Sequence, residues 1–480
     1  MSPLDHLARE ALLANGFQPD AGEAVVREVL GLGDAPTTGI RDERHLLWSS
    51  IDNATSRDLD QIEVAEELHD GAILLRIGIA DVDARVPKGS ATDAHAFVNA
   101  TSVYTGVSVY PMLPERLSTD LTSLNEGEDR LVMVIEIELG ADGAVRRHDV
   151  YRALATNHAK LSYESVGAWL EGRGPEPEKL VANDALEQQL WVQDRAASLL
   201  KREREEAGAL DFDTVEATPV TKDGKIEGLA VTRKNRARDL IEDFMIAANV
   251  AIARILAEHG RSAIRRVVRV PRRWSRIVDI AREYDFTLPA EPDARALSEF
   301  LGVRRAADPL RFPDLSLSVV KLLGPGEYVL DRPGPTDDQP HFGLAATDYT
   351  HATAPNRRYA DLVTQRLVKA AIDGAAAPYG DDELAAIARQ CTERENAANR
   401  VERVTRKAAA AQLLAHRIGV VFDAIVTGVK PDGTYVRLLS PPAEGRVVRG
   451  EQGMDVGERV RVRLVRTDAE KGHIDFEGMG

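Results

Sequence analysis

The chain has 480 residues, of which 44% are hydrophobic and 29% charged, and its formal net charge is −16. This length exceeds what one small hydrophobic core needs and predicts two to four domains. No apolar run is long enough to span a bilayer, and the acidic, amphipathic N-terminus is unlike a signal peptide. The single cysteine, Cys391, excludes an intramolecular disulfide and a cysteine-rich zinc site. We therefore expect a cytoplasmic protein with no membrane partner.

The negative net charge argues against a nucleic-acid partner only if the charges are spread evenly over the surface. They are clustered instead. Residues 261–276 contain seven arginines, Arg266 among them, and no acidic residue. Residues 399–468 carry 13 Lys/Arg against 8 Asp/Glu, a local surplus in an acidic chain. These clusters favour nucleic-acid-binding surfaces, although solvated surface charge explains any single arginine equally well.

Residues 1–40 contain two short helical patterns. Apolar residues recur at three- and four-residue steps within residues 4–12 and again within residues 25–30. The two helices form either a helix-turn-helix or a small helical cap on the following domain.

Residues 41–380 mix strand patterns with long helical patterns and predict an α+β domain. The predicted strands cover residues 72–81, 130–139 and 145–154, and the predicted helices cover residues 186–207, 238–259 and 359–372. Residues 381–417 are rich in alanine and paired charges, which predicts a helical linker of one or two long helices.

Residues 418–480 contain five short strand patterns, which predict a small closed barrel of the OB type. In the fourth of them, residues 458–465, arginines alternate with apolar residues and form a row that could follow a phosphate backbone. The alternative is an edge strand that carries charge to resist aggregation. Tyr435 on a neighbouring strand is a candidate for base stacking and favours RNA binding.

The sharpest chemical feature is the segment IDNATSRDLDQ, residues 51–61, which places Asp52, Asp58 and Asp60 within nine positions. Hard divalent cations take several oxygen ligands, and a pair of such cations can activate water and stabilise a leaving oxygen. A solvated acidic loop is the alternative. An EF-hand is disfavoured because its glycine and its distant glutamate are absent at the required offsets.

A second feature is the segment HFGLAATDYTHATAPNRRYADLVTQR, residues 341–366, in which Arg357 and Arg358 begin a predicted helix. A guanidinium can bind a phosphate through two hydrogen bonds and can stabilise charge that develops on it. The alternative is an Arg–Asp surface pair of little energetic value.

These two segments occur in order with GIADV at residues 78–82, the stretch TSVYTGVSVYPMLPERLSTDLTSL at residues 101–124, and IEDFMIAAN at residues 241–249. From about residue 41 to residue 480 the chain resembles the ribonuclease II / ribonuclease R family. The resemblance implies an α+β catalytic domain, threaded by single-stranded RNA, and a C-terminal OB barrel. It implies 3′→5′ hydrolysis with release of nucleoside 5′-monophosphates, by a monomer with no obligate protein partner.

The resemblance also implies a metal site. Asp52, Asp58, Asp60 and Gln61 would hold magnesium, with manganese as the alternative, and Asp60 would be the most critical of them. Arg357 would brace the scissile phosphate.

Further positions follow as implied contacts with RNA. Tyr104 and Tyr163 would pack against the terminal nucleotides, and Asp243 would contact the terminal ribose, where a 2′-hydroxyl distinguishes RNA from DNA. Arg358 and Arg266 would contribute further substrate contacts.

Three departures from the family pattern leave alternatives open. Gln61 replaces a fourth aspartate, so the site loses a charge, and a catalytically weak or silent RNA-binding relative is the runner-up function. Asn356 replaces a usual aliphatic residue. Residues 1–40 are too few for the family's two cold-shock barrels. A DNA-binding regulator led by the N-terminal helices is a third hypothesis, disfavoured because Arg9 and Arg27 are the only Lys/Arg there.

Overall fold

The computed structural model describes residues 2–33, 35, 37–213, 216–222, 225–309, 311–334, 341–346, 348–430, 433–455 and 457–479. The helices in these ranges are α1 Pro3–Ala14, α2 Glu23–Leu30, α3 Ala91–Asn99, α4 Tyr163–Leu170, α5 Glu178–Val181, α6 Asp184–Ala207, α7 Arg236–Glu258, α8 Trp274–Glu283, α9 Ala294–Ala307, α10 Phe312–Leu323, α11 Tyr359–Ile372 and α12 Asp381–Leu414. The strands are β1 Arg41–Asp42, β2 Ser49–Asp52, β3 Gln61–Glu67, β4 Ile73–Ala80, β5 Val103–Tyr104, β6 Val109–Tyr110, β7 Asp129–Leu139, β8 Val145–Thr156, β9 Ala159–Ser162, β10 Glu216–Lys222, β11 Lys225–Thr232, β12 Ala263–Val267, β13 Glu327–Asp331, β14 Val421–Lys430, β15 Gly433–Leu438, β16 Glu444–Arg449, β17 Arg459–Asp468 and β18 His473–Gly478.

A seven-stranded mixed sheet forms the centre of the larger body, in the order β1-β8-β7-β4-β3-β2-β9. The apolar side chains of β4, such as Ile73, Leu75 and Ile77, are fully buried. They share one core with apolar residues of α6, α7 and α11, so the sheet is covered by helices. The α+β class predicted from the sequence is confirmed.

The N-terminal helices pack on this body through their apolar faces. Leu12 of α1 and Val401 of α12 are buried in one cluster, while Val25 and Val29 of α2 join the main core. The carboxylate of Glu28 also accepts a hydrogen bond of 3.1 Å from the first turn of α3. The packing of α1 and α2 fits a helical cap on the larger body, and the choice between this interpretation and a helix-turn-helix stays a prediction.

The strands β14 to β18 close into a barrel in the order β14-β15-β16-β18-β17. Val462 and Leu464 of β17 point into its core while Arg459 and Arg461 are exposed, which confirms the predicted alternation. A side chain at Gly445 would meet Phe476 at 2.5 Å, so the barrel interior requires glycine there.

Helices α8, α9 and α10 form a three-helix unit with a core of its own, which includes Trp274, Phe300 and Phe312. A nearly buried ion pair between Asp314 of α10 and Arg437 of β15 joins this unit to the barrel. The 34-residue helix α12 connects the barrel to the larger body. Among the helices that the structure describes, none is both long and apolar enough to cross a membrane.

The buried guanidinium of Arg366 anchors α11. It donates to Asp83 and to Asp93 at 2.8 Å each, and to the Tyr379 hydroxyl at 2.6 Å. Because α11 follows directly on Arg357 and Arg358, this anchor fixes the position of both arginines.

We expect Arg366→Met to lower the free energy of unfolding by about 3–5 kcal/mol, because it leaves the buried carboxylate of Asp93 without its cation, while Asp83 keeps its pair with Lys369. Urea unfolding followed by tryptophan fluorescence measures this. The matched control is Arg195→Met, which removes an exposed pair with Glu67 and should cost less than about 1 kcal/mol. Equal losses in the two variants would contradict the anchoring role of Arg366.

Candidate active site

The acidic segment is a loop between two neighbouring strands of the central sheet. Asp52 is the last residue of β2 and Gln61 the first of β3. Because these strands are antiparallel neighbours, the end of one and the start of the next lie at the same edge of the sheet. The Ser123 hydroxyl holds the loop between them, accepting from the Leu59 N–H at 3.0 Å and donating to the Arg57 carbonyl at 2.8 Å.

A pocket of about 550 Å³ opens at this edge. Eight of the residues predicted for the site line it: Asp52, Asp58, Asp60, Gln61, Tyr104, Tyr163, Arg357 and Arg358. These eight residues come from segments far apart in the chain, and the fold brings them together in one pocket.

Asp60 lies at the bottom of the pocket and is 2% exposed. Its carboxylate accepts hydrogen bonds from the Asn356 N–H at 3.0 Å and from the Arg357 Nε at 3.3 Å. Burial raises the pKa of Asp60 to about 7, because the opposing effects of Arg357 and of the Asn356 N–H offset only part of the desolvation. Burial also raises the pKa of Asp52, whose carboxylate accepts from the Ser56 hydroxyl at 2.9 Å.

The loop that carries Arg357 is fixed by buried polar groups. The Asp361 carboxylate accepts from the Ala354 N–H at 2.8 Å and from Arg358 at 2.7 Å. The side-chain oxygen of Asn356, which is fully buried, accepts from the Thr122 hydroxyl at 2.5 Å. An aliphatic residue could not make this bond, so the departure at position 356 has a structural reason.

Two tyrosines border the carboxylates. The Tyr104 hydroxyl donates to Asp58 at 3.1 Å, while the Tyr104 backbone N–H donates to Glu402 of α12 at 2.9 Å. The ring of Tyr163 lies under the guanidinium of Arg238, 4.3 Å from the ring centroid.

Sequence reasoning missed the side of α7 that faces the pocket. Arg238, Glu242 and Asn249 line it, at steps of four and seven residues that share one helix face. Arg238 also donates to Asn53 of the acidic loop at 2.9 Å, so it connects α7 to the carboxylates. Applied to residues 238–249, the 3.6-residue period of a helix would have placed Glu242, but not Asp243, on the face that lines the pocket.

Three predicted substrate residues are not brought to the pocket. Asp243, 2% exposed, points away from it and pairs with Arg204 of α6, and burial raises its pKa to about 7. Arg266 of β12 pairs with Glu395 at 2.5 and 2.7 Å. Tyr435 lies in the barrel.

The donor set suits a hard divalent cation. Carboxylate and amide oxygens are the ligands such ions take, and Arg357 compensates only part of the cost of burying the carboxyl groups of Asp52 and Asp60. Among the described residues, no group of three or more His, Cys, Asp or Glu side chains is arranged to hold a metal ion by itself. Magnesium does not require one, because it keeps several waters and takes substrate phosphate oxygens.

Residues 40–374 match the RNB domain, and residues 420–478 match the RNase II-type exonuclease C-terminal S1 domain. The chain therefore belongs to the RNB-domain family, which confirms the resemblance drawn from its motifs. Its relatives include ribonuclease R of Thermotoga maritima, 29% identical over 474 residues, which cover 91% of this chain and 64% of the relative. The chain thus spans less than two thirds of the length of such curated relatives.

Solved structures show the same fold. Mycoplasma genitalium RNase R in complex with ribose-methylated single-stranded RNA aligns with a TM-score of 0.87 at 22% identity, over 100% of this chain and 78% of that one. Yeast Ssd1, a pseudonuclease, aligns with a TM-score of 0.71 at 16% identity, over 97% of this chain and 57% of that one. The fold therefore occurs both in a nuclease and in a pseudonuclease.

A second buried carboxyl group lies two residues beyond Gln61 on β3. Glu63 is 0% exposed, and neither of its carboxyl oxygens has a hydrogen-bond partner among the described residues. Burial, with a smaller contribution from the charge of Asp52, raises the pKa of Glu63 well above its ordinary value of 4.5. The folded state therefore keeps a proton that the unfolded state releases above about pH 4.5.

Because of Glu63, the free energy of unfolding should therefore decrease as pH rises. The contribution of Glu63 to the free energy of unfolding is fully present below the pKa that Glu63 has in the unfolded state. It is lost as pH rises toward the pKa of Glu63 in the folded state, at up to about 1.4 kcal/mol per pH unit. We expect Glu63→Gln to flatten this decline. Urea unfolding with EDTA between about pH 5 and about pH 8 measures it. The exposed Glu67→Gln on the same strand is the control, and parallel curves for wild type and Glu63→Gln would contradict the prediction.

Proposed function

We propose that the chain is a 3′→5′ exoribonuclease that hydrolyses single-stranded RNA to nucleoside 5′-monophosphates with a divalent cation, magnesium or manganese. The observation that carries the proposal is the contact between Asp60 and Arg357, 297 residues apart, in a pocket that also contains Asp52 and Asp58. The ribonuclease R relatives support the same activity.

We also propose that four segments of the chain have different roles. Residues 1–40 form a cap, residues 41–380 the catalytic domain, residues 381–417 a helical linker and residues 418–480 an RNA-binding domain. The chain acts as a monomer and needs no protein partner.

In this proposal Asp52, Asp58, Asp60 and Gln61 hold the cation. When bound, it supplies activation of water and stabilisation of the leaving oxygen. Hydrolysis joins a water oxygen to the phosphorus and breaks the bond to the 3′-oxygen of the penultimate nucleotide, which takes a proton. Arg357 stabilises the charge on the phosphate oxygens, since among the described residues only its Nε is engaged, and its side chain is 45% exposed.

Tyr104 and Tyr163 provide ring surfaces for the last nucleotides of the strand. The contacts of Tyr104 with Asp58 and Glu402, and the Arg238 guanidinium over Tyr163, hold the two rings before RNA arrives. Such preorganisation lowers the entropic cost of placing the scissile phosphate.

We assign the ribose contact to Glu242 in place of Asp243. Glu242 lines the pocket and its side chain is 47% exposed, although Lys234 contacts it at 2.9 Å. Asp243 is buried against Arg204 and cannot reach a ribose without breaking that pair.

A catalytically silent RNA-binding protein is the second candidate. Gln61, 7% exposed in the pocket, offers a neutral oxygen where the family has a charged one. The shared fold with yeast Ssd1, a pseudonuclease, is compatible with this alternative.

The deciding experiment is a timed digestion of a 5′-labelled single-stranded RNA with magnesium or manganese. We expect a ladder of shortening products and a rate at least roughly 10³-fold lower for Asp60→Asn, because several kcal/mol of charge stabilisation is lost. The exposed Asp382→Asn is the control variant. RNA that stays intact with both metals, yet shifts in a binding gel, would support the silent alternative.

The ribose assignment predicts a change in sugar selectivity. Glu242→Gln should reduce the preference for RNA over a matched DNA by about tenfold, since a hydrogen bond to a charged group contributes about 1.5 kcal/mol or more. The measured quantity is the ratio of hydrolysis rates on the two substrates, which a general loss of folded protein does not alter. An unchanged ratio in Glu242→Gln, with a changed ratio in Asp243→Asn, would reverse the assignment.

A further inference from the structure

The short hairpin formed by β5 and β6 brings Tyr104 to the active-site pocket. Tyr104 is the last residue of β5, and it contacts Asp58 through its hydroxyl and Glu402 through its backbone N–H. Two residues earlier, the Ser102 N–H donates to the Arg357 carbonyl at 3.0 Å. This part of the chain therefore touches both the acidic loop and the segment that precedes α11.

A hairpin of this size does not fix its own geometry. Each strand has two residues, and among the described strands β5 and β6 pair only with each other. Isolated two-stranded hairpins are marginally stable in water. Tyr104 itself is 39% exposed, so core packing does not hold its ring. Other elements must therefore fix the position of the hairpin.

The N-terminal helix α1 provides two polar links to the hairpin, and both end on Asp5. The Asp5 carboxylate accepts from the Ser108 hydroxyl at 2.6 Å, and the Asp5 carbonyl accepts from the Tyr110 hydroxyl at 3.3 Å. The same carboxylate accepts from the Ser2 N–H at 2.9 Å and from the Ser2 hydroxyl at 2.8 Å, which fixes it within the first turn of α1. The Ser108 hydrogen bond is the main cause that lowers the pKa of Asp5, so this bond favours the charged carboxylate.

Apolar packing joins the hairpin to α1 and to α12. Leu12 of α1, Val103 of β5 and Val401 of α12 are buried in one cluster. Val107, in the turn of the hairpin, packs against a second cluster that contains Leu4 of α1. The hairpin is therefore held by α1 as well as by α12, the helix that carries Glu402.

We infer that Asp5 is a positioning residue for the RNA substrate. Through Ser108 and Tyr110 it fixes the β5–β6 hairpin, and the hairpin holds the Tyr104 ring where it packs against the 3′-terminal nucleotides. The inference rests on the proposed function, from which it takes the role of Tyr104. Among the described residues that line the pocket, none belongs to α1, so Asp5 acts through the hairpin.

The test is a double-mutant cycle. The link variant, Ser108→Ala with Tyr110→Phe, removes both polar links to Asp5 and leaves the apolar packing in place. It is combined with Tyr104→Leu, and the affinity for an RNA of about four nucleotides is measured with EDTA.

We expect the link variant to bind this RNA roughly fivefold more weakly, at the low end of what two lost hydrogen bonds cause, because the apolar packing remains. Tyr104→Leu should lose more affinity, since it removes the ring surface itself. In the Tyr104→Leu background the link variant should have no further effect, because the ring that the links position is absent. Asp5→Ala should weaken binding to a similar extent and show the same dependence on Tyr104.

A conservative variant and a matched control separate positioning from a loss of folded protein. Ser108→Thr keeps the hydroxyl donor and should bind RNA like the wild-type protein. Ser298→Ala removes a hydroxyl that donates to the Ala209 carbonyl at 2.9 Å, far along the chain from the hairpin, and should leave the affinity unchanged.

Additive effects of the link variant and Tyr104→Leu would overturn the inference, because the links would then act independently of the ring. An unchanged affinity in the link variant, or weak binding by Ser108→Thr, would also overturn it. The cycle measures binding and is therefore separate from the proposed hydrolysis. If the wild-type protein hydrolyses no RNA but shows the coupling, the proposed enzyme fails and the role of Asp5 stands. Hydrolysis together with additive effects would do the reverse.

Discussion

The buried carboxylate of Asp60 is the constraint on which the site depends. It immediately precedes β3 and accepts hydrogen bonds from Asn356 and Arg357, nearly 300 residues further along the chain. A carboxylate at 2% exposure requires such partners, because desolvation without them would cost several kcal/mol. The Asp60 carboxylate therefore holds the edge of the sheet and the start of α11 together. Asp361 and Arg366 in turn fix the position of α11.

The spacing of apolar and polar residues in the sequence was sufficient to predict helices and strands that have one apolar and one polar face. Helix α11 has the bounds predicted for it, and β17 alternates as its arginines and valines require. The acidic loop was also predictable, since its carboxylates are close in the chain. What these features share is that the information is contained within about ten neighbouring residues.

Features that depend on helix phase or on distant contacts could not be predicted in this way. Asp243 and Glu242 are adjacent in the sequence, yet α7 turns one toward the pocket and the other toward Arg204. Arg266 belongs to a conspicuous arginine cluster, but Glu395, 129 residues away, pairs with it. A cleft between the three-helix unit and the barrel, whose lining includes Arg273, Lys321 and Arg459, is likewise built from separate elements, so no single segment of sequence contains it.

The substitution at Gln61 is consistent with the charge balance at the start of β3. An aspartate there would be almost fully buried beside Asp60 and two residues from the buried Glu63. Charged carboxylates at positions 60 and 61 would repel each other in this low-dielectric setting, and among the described residues Arg357 is the cation that offsets the charge of Asp60. Glutamine keeps an oxygen ligand without the charge. Because Asp60 already has Arg357 as its cation, a neutral side chain at position 61 adds no further buried charge for that guanidinium to balance.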